Sequence, residues 1–170
     1  MVAVVRAWPD YPPGGRPHIH DDWPRVAVDN FDYRGLIALG DNVINLDWDV
    51  AVDLDDLRSF ASHAAENPDQ PLWGPCKLWG EPIPRWCAQR IAPDGSCVNW
   101  VTEVDTYCHL FGFGFTYIPH VLMIQYVEEN PGTIMSDVTF ATWLYYKHGC
   151  GEVKIDWSVR GIHIHYDCKL

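Results

Sequence analysis

The stretch Val43–Val52, followed directly by Asp53–Glu66, constrains this chain more than any other. Apolar Ile44, Leu46, Trp48, Val50 and Val52 alternate with Asn45, Asp47, Asp49 and Ala51. Successive strand side chains point to opposite faces, so this period predicts a strand with one apolar and one largely polar face. Next, Leu54, Leu57, Phe60, Ala61 and Ala64 recur at helical spacing. Acids fill the first turn of that segment, where the helix dipole favours them, and Asn67-Pro68 stops it.

Other elements are shorter. Residues 1–6 read as a buried strand, the Pro-rich residues 8–25 as a loop, and Arg25–Val28 and Leu36–Leu39 as strands. Prolines punctuate residues 71–108, which read as loop-rich, with short strands at Lys77–Trp79 and Val98–Val104. The apolar run 110–118 carries Gly112 and Gly114, the mark of a bulged core strand or of a backbone pressed against a ligand. Ser136 caps a predicted helix with Asp137 in its first turn and Gly149 at its end. Val153, Ile155 and Trp157, then Ile162, Ile164 and Tyr166, alternate with polar residues as two late strands. There is no repeat and no linker. The expectation is one α/β domain over residues 1–170, a mixed sheet flanked by few helices.

Composition narrows the function. The chain of 170 residues is 48% apolar, enough to bury a core and too much for a disordered chain. Its formal charge of -11, with no basic run, disfavours a nucleic-acid partner and suits a divalent cation. No secretory signal and no apolar run near the roughly 20 residues of a spanning helix can be read, so a cytoplasmic protein away from membranes is expected. The six cysteines, none in a Cys-x-x-Cys pair, are then expected as free thiols.

Three constellations can carry chemistry. On a continuing strand Asp47 and Asp49 would share a face roughly 6.5–7 Å apart, and a divalent cation relieves their repulsion. His163 and His165 likewise share a strand face, and imidazole is a common metal ligand. Asp137, at a helix start, either stabilises the helix dipole or takes a proton as a general base. Against these stand a facial iron triad from His20 and Asp22 with His163 or His165, and a zinc site from Cys150, His163, His165 and Cys168. An aromatic docking surface on a non-catalytic interaction protein is a further alternative.

In order, these pieces resemble the glycosyltransferase A-fold family, and look similar to small glycosyltransferase-like proteins of actinobacterial phages. The likeness lies in Ile44–Leu46 leading into Asp47-Trp48-Asp49, the segment Gly112–Thr116, Asp137 ahead of Phe140 and Trp143, and the pair His163 and His165. The stretch before Asp47 is short for that family, so an abbreviated version is implied. The resemblance implies sugar transfer from a nucleotide-sugar donor to an acceptor hydroxyl. Asp49 with His163 or His165 would hold Mn²⁺ or Mg²⁺, Asp47 would contact ribose or metal, and Trp48 would lie beside the donor. Asp137 would be the base, and Trp48, Trp86 or Trp143 would stack on sugar.

Overall fold

Describing residues 2–8, 24–29, 31–77, 85–147 and 151–163, the structure is a computed structural model. Its first strands are β1 (Val2–Trp8) and β2 (Arg25–Ala27), followed by a 3₁₀ helix (Tyr33–Leu39). Then come β3 (Asn42–Asp47), β4 (Val50–Val52), α1 (Leu54–Glu66) and β5 (Leu72–Trp73). The middle holds β6 (Ala88–Ile91), β7 (Val98–Trp100), β8 (Tyr107–Cys108), β9 (Leu110–Phe111) and β10 (Phe115–Ile118). The chain continues with α2 (His120–Glu129), α3 (Asp137–Lys147), β11 (Val153–Ile155) and β12 (Gly161–His163). The expected α/β class with a mixed sheet is what forms.

Seven strands make the main sheet, in the order β2-β1-β3-β10-β5-β11-β8. β1 lies parallel to β2 and β3, and β10 runs antiparallel to β3, so the sheet is mixed. β6, β7 and β9 form a small antiparallel sheet, and β12 pairs antiparallel with β4.

Both faces of the main sheet are covered. On one face Leu57, Phe60 and Ala64 of α1 pack on Ile44, Leu46, Phe115 and Tyr117, with the Phe60 and Phe115 rings 4.3 Å apart. Each such apolar side chain contributes roughly 1.5–3 kcal/mol on full burial. On the other face Val43 and Ile118 pack with Leu36, Met123, Tyr126, Phe140 and Leu144 from the helices. The α1 helix is as expected, with Asp53 as its N-cap accepting from the Asp55 amide.

Several expectations are corrected. Val43–Val52 is not one strand: β3 ends at Asp47 and the chain turns through Trp48 and Asp49 before β4. The cause is Arg6, whose Nη1 donates to the carbonyls of both Asp47 (3.0 Å) and Trp48 (2.8 Å) and whose Nη2 donates to Val50 O (3.3 Å). Consecutive carbonyls of a straight strand point opposite ways, so their convergence on one guanidinium requires a turn. The supposed polar face of β3 is interior, because the second helical layer covers it and leaves Asn45 fully buried. Leu36–Leu39 lies within the 3₁₀ helix rather than a strand, because Asp32 caps it and Gly40 ends it in the left-handed region at φ 68°. The strand expected over Val98–Val104 stops at Trp100, where Asp105 draws the Thr102 amide into a turn (2.7 Å).

Candidate functional site

Asp47 ends β3 in register with Ala7 of parallel β1, at the carboxyl ends of two neighbouring strands. Open α/β sheets bind ligands in such a place. Arg6, nearly fully buried, gathers the turn that presents Trp48 and Asp49 beyond it. The Asp47 amide donates to Gly114 O (3.0 Å), tying the turn to the segment ahead of β10.

The Asp47 carboxylate is held by two donors on one oxygen. Tyr33 Oη (2.9 Å) and Asn45 Nδ2 (3.1 Å) both donate to Oδ1. Asn45 Nδ2 also donates to Phe113 O (2.7 Å), which fixes its amide orientation. Burial, then the charge of Asp49, pushes the Asp47 carboxyl up to about 6, against the pull of the two hydrogen bonds. The charge of Asp137 adds to that rise. Desolvation and the nearby Asp47 charge raise the Tyr33 phenol far above its ordinary value, so it remains a donor.

His163 comes from the other end of the sequence. The pairing of β12 with β4 sets it opposite Val50, one residue beyond Asp49. Its Nδ1 bonds the Lys77 carbonyl. A carbonyl can only accept, so in the neutral ring the proton sits on Nδ1, and the buried Cys76 Sγ stands 3.7 Å from Nε2. Asp47, Trp48, Asp49 and His163 line one cleft of about 300 Å³ with Tyr33, Phe31, Ala7 and Val28. Phe31 stands at its rim, 74% exposed and held at a φ of 58°, a strained value for a residue with a side chain.

Asp137 opens α3 as expected. Ser136 Oγ accepts from the Thr139 amide (3.1 Å), and Thr139 Oγ1 accepts in return from the Ser136 amide (2.9 Å). The Asp137 carboxyl accepts from the Val138 amide (2.7 Å), and burial raises its pKa above the ordinary value. It lines a second cleft of about 240 Å³ with Cys87, Gln89, Trp100, Leu110 and Gly112. The segment 112–114 runs between the two clefts. A Cβ at Gly112 would stand 3.7 Å from Asp137 Oδ2, and one at Gly114 would stand 3.6 Å from His163 Nε2. A side chain at Gly112 would have to displace Cys87, since its Cβ would meet Cys87 Sγ at 2.5 Å.

Thus Asp47, Trp48, Asp49 and His163 meet in one cleft, and Asp137 stands in the neighbouring one. The acids do not share a strand face, but the turn still delivers both to the same cleft. His165 lies outside the described residues, as do His20 and Asp22 of the iron alternative and Cys150 and Cys168 of the zinc alternative. Among the described residues no three His, Cys, Asp or Glu side chains form a ready metal cage. Trp86 and Trp143 are core residues: Trp86 packs edge-on to Trp157, and Trp143 on Tyr126 and Phe140. The described thiols Cys76, Cys87, Cys97 and Cys108 are free. Burial pushes the Cys87 thiol up to about 12 and raises Cys76 as well, so neither is a nucleophile at neutral pH. No described helix is long and apolar enough to cross a membrane.

No protein-family model matches the chain, and no curated protein matches its sequence. The fold does have a counterpart among solved structures, the crystal structure of A197 from STIV, a virus protein. The two superpose with a TM-score of 0.60 over 96% of this chain and 86% of that one, at 12% identity. At that identity the likeness is one of fold.

Proposed function

We propose that the chain is a glycosyltransferase that moves a sugar from a nucleotide-sugar donor to an acceptor hydroxyl with the help of Mn²⁺ or Mg²⁺. One observation carries this reading: Asp47, Trp48, Asp49 and His163 line a single cleft, and Asp137 lines a second one just across the 112–114 backbone. It agrees with the resemblance of the Asp-Trp-Asp segment and the late histidine to the glycosyltransferase A-fold.

Because the described residues form no metal cage of their own, the ion would have to be held jointly with its ligand. Two carboxylates and an imidazole whose Nδ1 is anchored on a carbonyl supply hard oxygen and nitrogen donors. Mg²⁺ and similar ions are commonly held by one or two carboxylates together with substrate phosphates, which needs no all-protein cage. Asp49 and His163, with His165, would hold the ion, and Asp47 would contact it or the ribose. When bound, the ion supplies Lewis-acid neutralisation of the departing diphosphate.

The chain's own groups do the rest. Tyr33 and Asn45 keep the Asp47 carboxylate oriented, and Arg6 fixes the turn under Asp49. Trp48 and the exposed Phe31 ring offer aromatic faces to sugar and base. Asp137, made more basic by burial, takes the proton of the acceptor hydroxyl as its oxygen bonds the anomeric carbon. The bond from that carbon to the diphosphate oxygen breaks, and the nucleoside diphosphate leaves. A single base on the acceptor side corresponds to inversion.

Calorimetric titration with UDP and GDP, with and without Mn²⁺, tests the reading on wild type and Asp49→Asn. Metal-dependent binding that the variant loses is the expected result. A folded protein that binds neither nucleotide with Mn²⁺ present refutes the reading for these donors.

A further inference from the structure

The second cleft carries information about the acceptor that the donor side does not. In the small sheet, Gln89 of β6 is in register with Trp100 of β7 on one side and with Leu110 of β9 on the other. Residues directly opposite across strands share a face, so Trp100, Gln89 and Leu110 form one row. All three line the cleft whose far wall is Asp137 and Val138. The row therefore sets an indole, a carboxamide and an aliphatic side chain before a single carboxylate.

Each member is open to a ligand. Trp100 is 37% exposed and Val138 is 66% exposed. Neither the Gln89 amide nor the Trp100 indole N–H has a hydrogen-bond partner among the described residues. Trp100 also borders a neighbouring cleft with Arg85, whose guanidinium lies 5.5 Å from the ring centroid. Arg85 does not line the cleft of Asp137, and its contact with the ring steadies the indole.

The chemistry of this lining selects among acceptors. It includes no Lys or Arg and one acid, in a protein of formal charge -11, so an anionic acceptor is repelled. At about 240 Å³ the cleft has room for about one ring. An occupant with an apolar face for the indole, hydroxyls for the amide and one hydroxyl for Asp137 is a neutral sugar.

We propose that this cleft is a saccharide acceptor subsite, with one neutral sugar ring stacked on Trp100, a hydroxyl bonded by Gln89 and the reacting hydroxyl at Asp137. The assignment of the reacting hydroxyl rests on the transferase reading; binding of the ring does not.

Saturation-transfer NMR with methyl glycosides of glucose, galactose, mannose and N-acetylglucosamine tests it on the intact chain. At least one glycoside should bind, and Trp100→Ala and Gln89→Ala should each weaken it by about tenfold or more. Val138→Glu, at an exposed position, should do the same without disturbing the core. Val104→Ala, 87% exposed and outside both clefts, serves as the control. Binding of no glycoside, or binding indifferent to all three cleft variants, overturns the assignment. So does preferential binding of 5-hydroxymethylcytidine or of a blocked serine or threonine amide. Glycoside binding without metal-dependent UDP or GDP binding supports the subsite while removing the transferase reading. Nucleotide binding without glycoside binding keeps transfer and overturns the saccharide acceptor.

Discussion

Asp47→Asn should make the protein more stable at neutral pH. In the folded state burial and Asp49 raise the Asp47 carboxyl from 3.8 to about 6. Between these values the folded state keeps a proton that the unfolded chain has lost, so stability declines as pH rises through this window. Above about pH 7 the loss is complete, and at about 1.36 kcal/mol per pK unit it comes to roughly 3 kcal/mol. Asparagine removes the charge and keeps an oxygen where Tyr33 and Asn45 donate, so the two hydrogen bonds survive. Urea unfolding at pH 7.5 should show the variant up to about 3 kcal/mol more stable, or about 6–12 °C higher in Tm. The gap should close toward pH 4, where Asp47 is protonated in the folded protein. A variant less stable than wild type at pH 7.5, or a gap that does not change between pH 4 and 7.5, refutes the reasoning. Gained stability together with lost metal-dependent nucleotide binding is the trade expected of a carboxylate kept for its charge.

Three further substitutions test the supports of the site. Tyr33→Phe keeps the edge-on ring contact with Phe113 and loses the donor to Asp47, so the Asp47 titration should move upward in carboxyl-carbon NMR; no upward movement would show that the bond does not set that pKa. Arg6→Met leaves the buried carbonyls of the 47–50 turn without their guanidinium, and should cost about 3–5 kcal/mol in urea unfolding and abolish nucleotide binding. A loss below about 1 kcal/mol would show that the turn stands without its clamp. Gly112→Ala should cost about 1–3 kcal/mol by overpacking against Cys87 Sγ, and Gly112→Ala with Cys87→Ala should recover most of it; a double variant as unstable as the single one would place the clash elsewhere.

What could be read in the sequence was what local chemistry determines. The spacing of Leu57, Phe60 and Ala64 and the acids of the first turn give α1, and Ser136 gives the start of α3, because each signal lies within a few residues of what it controls. The turn at Trp48 and Asp49 was hidden, since the residue that causes it is Arg6, more than forty positions earlier. A charge inside the otherwise apolar run Val2–Trp8 was the available signal. A buried arginine must find acceptors, so that strand had to lie beside a backbone with carbonyls to spare. Asn45 inside an apolar strand gave a similar hint of an interior hydrogen-bond network. The meeting of His163 with the Asp pair depends on β12 pairing with β4 over more than a hundred residues, and only resemblance had brought them together. Nothing local marked Trp100, Gln89 and Leu110 as a set, because their alignment exists only in the register of β6, β7 and β9.

That register matters because the two clefts are held at a fixed spacing by backbone. Over residues 112–114 the Gly112 amide donates to Cys87 O, Thr116 Oγ1 donates to Gly112 O, Asn45 donates to Phe113 O and the Asp47 amide donates to Gly114 O. Asn45 and Asp47 belong to the hydrogen-bond network at the cleft of Asp49, and Cys87 belongs to the lining of the Asp137 cleft. One short segment therefore bonds to residues of both clefts, Asp47 of one and Cys87 of the other. Bringing two reactants to one geometry can supply roughly 7–11 kcal/mol of a barrier, provided the reacting atoms are held within about half an ångström of a productive distance. Under the proposed transfer, side chains on the segment would add bulk between the reactants, and flexible loops would not keep the distance. A glycine-bearing backbone, pinned at three successive residues, would satisfy both demands, and the structure gives the glycines a packing reason too: a Cβ at Gly112 would meet Cys87 Sγ at 2.5 Å, and one at Gly114 would lie 3.4 Å from Val50 and 3.5 Å from Cys76 Sγ.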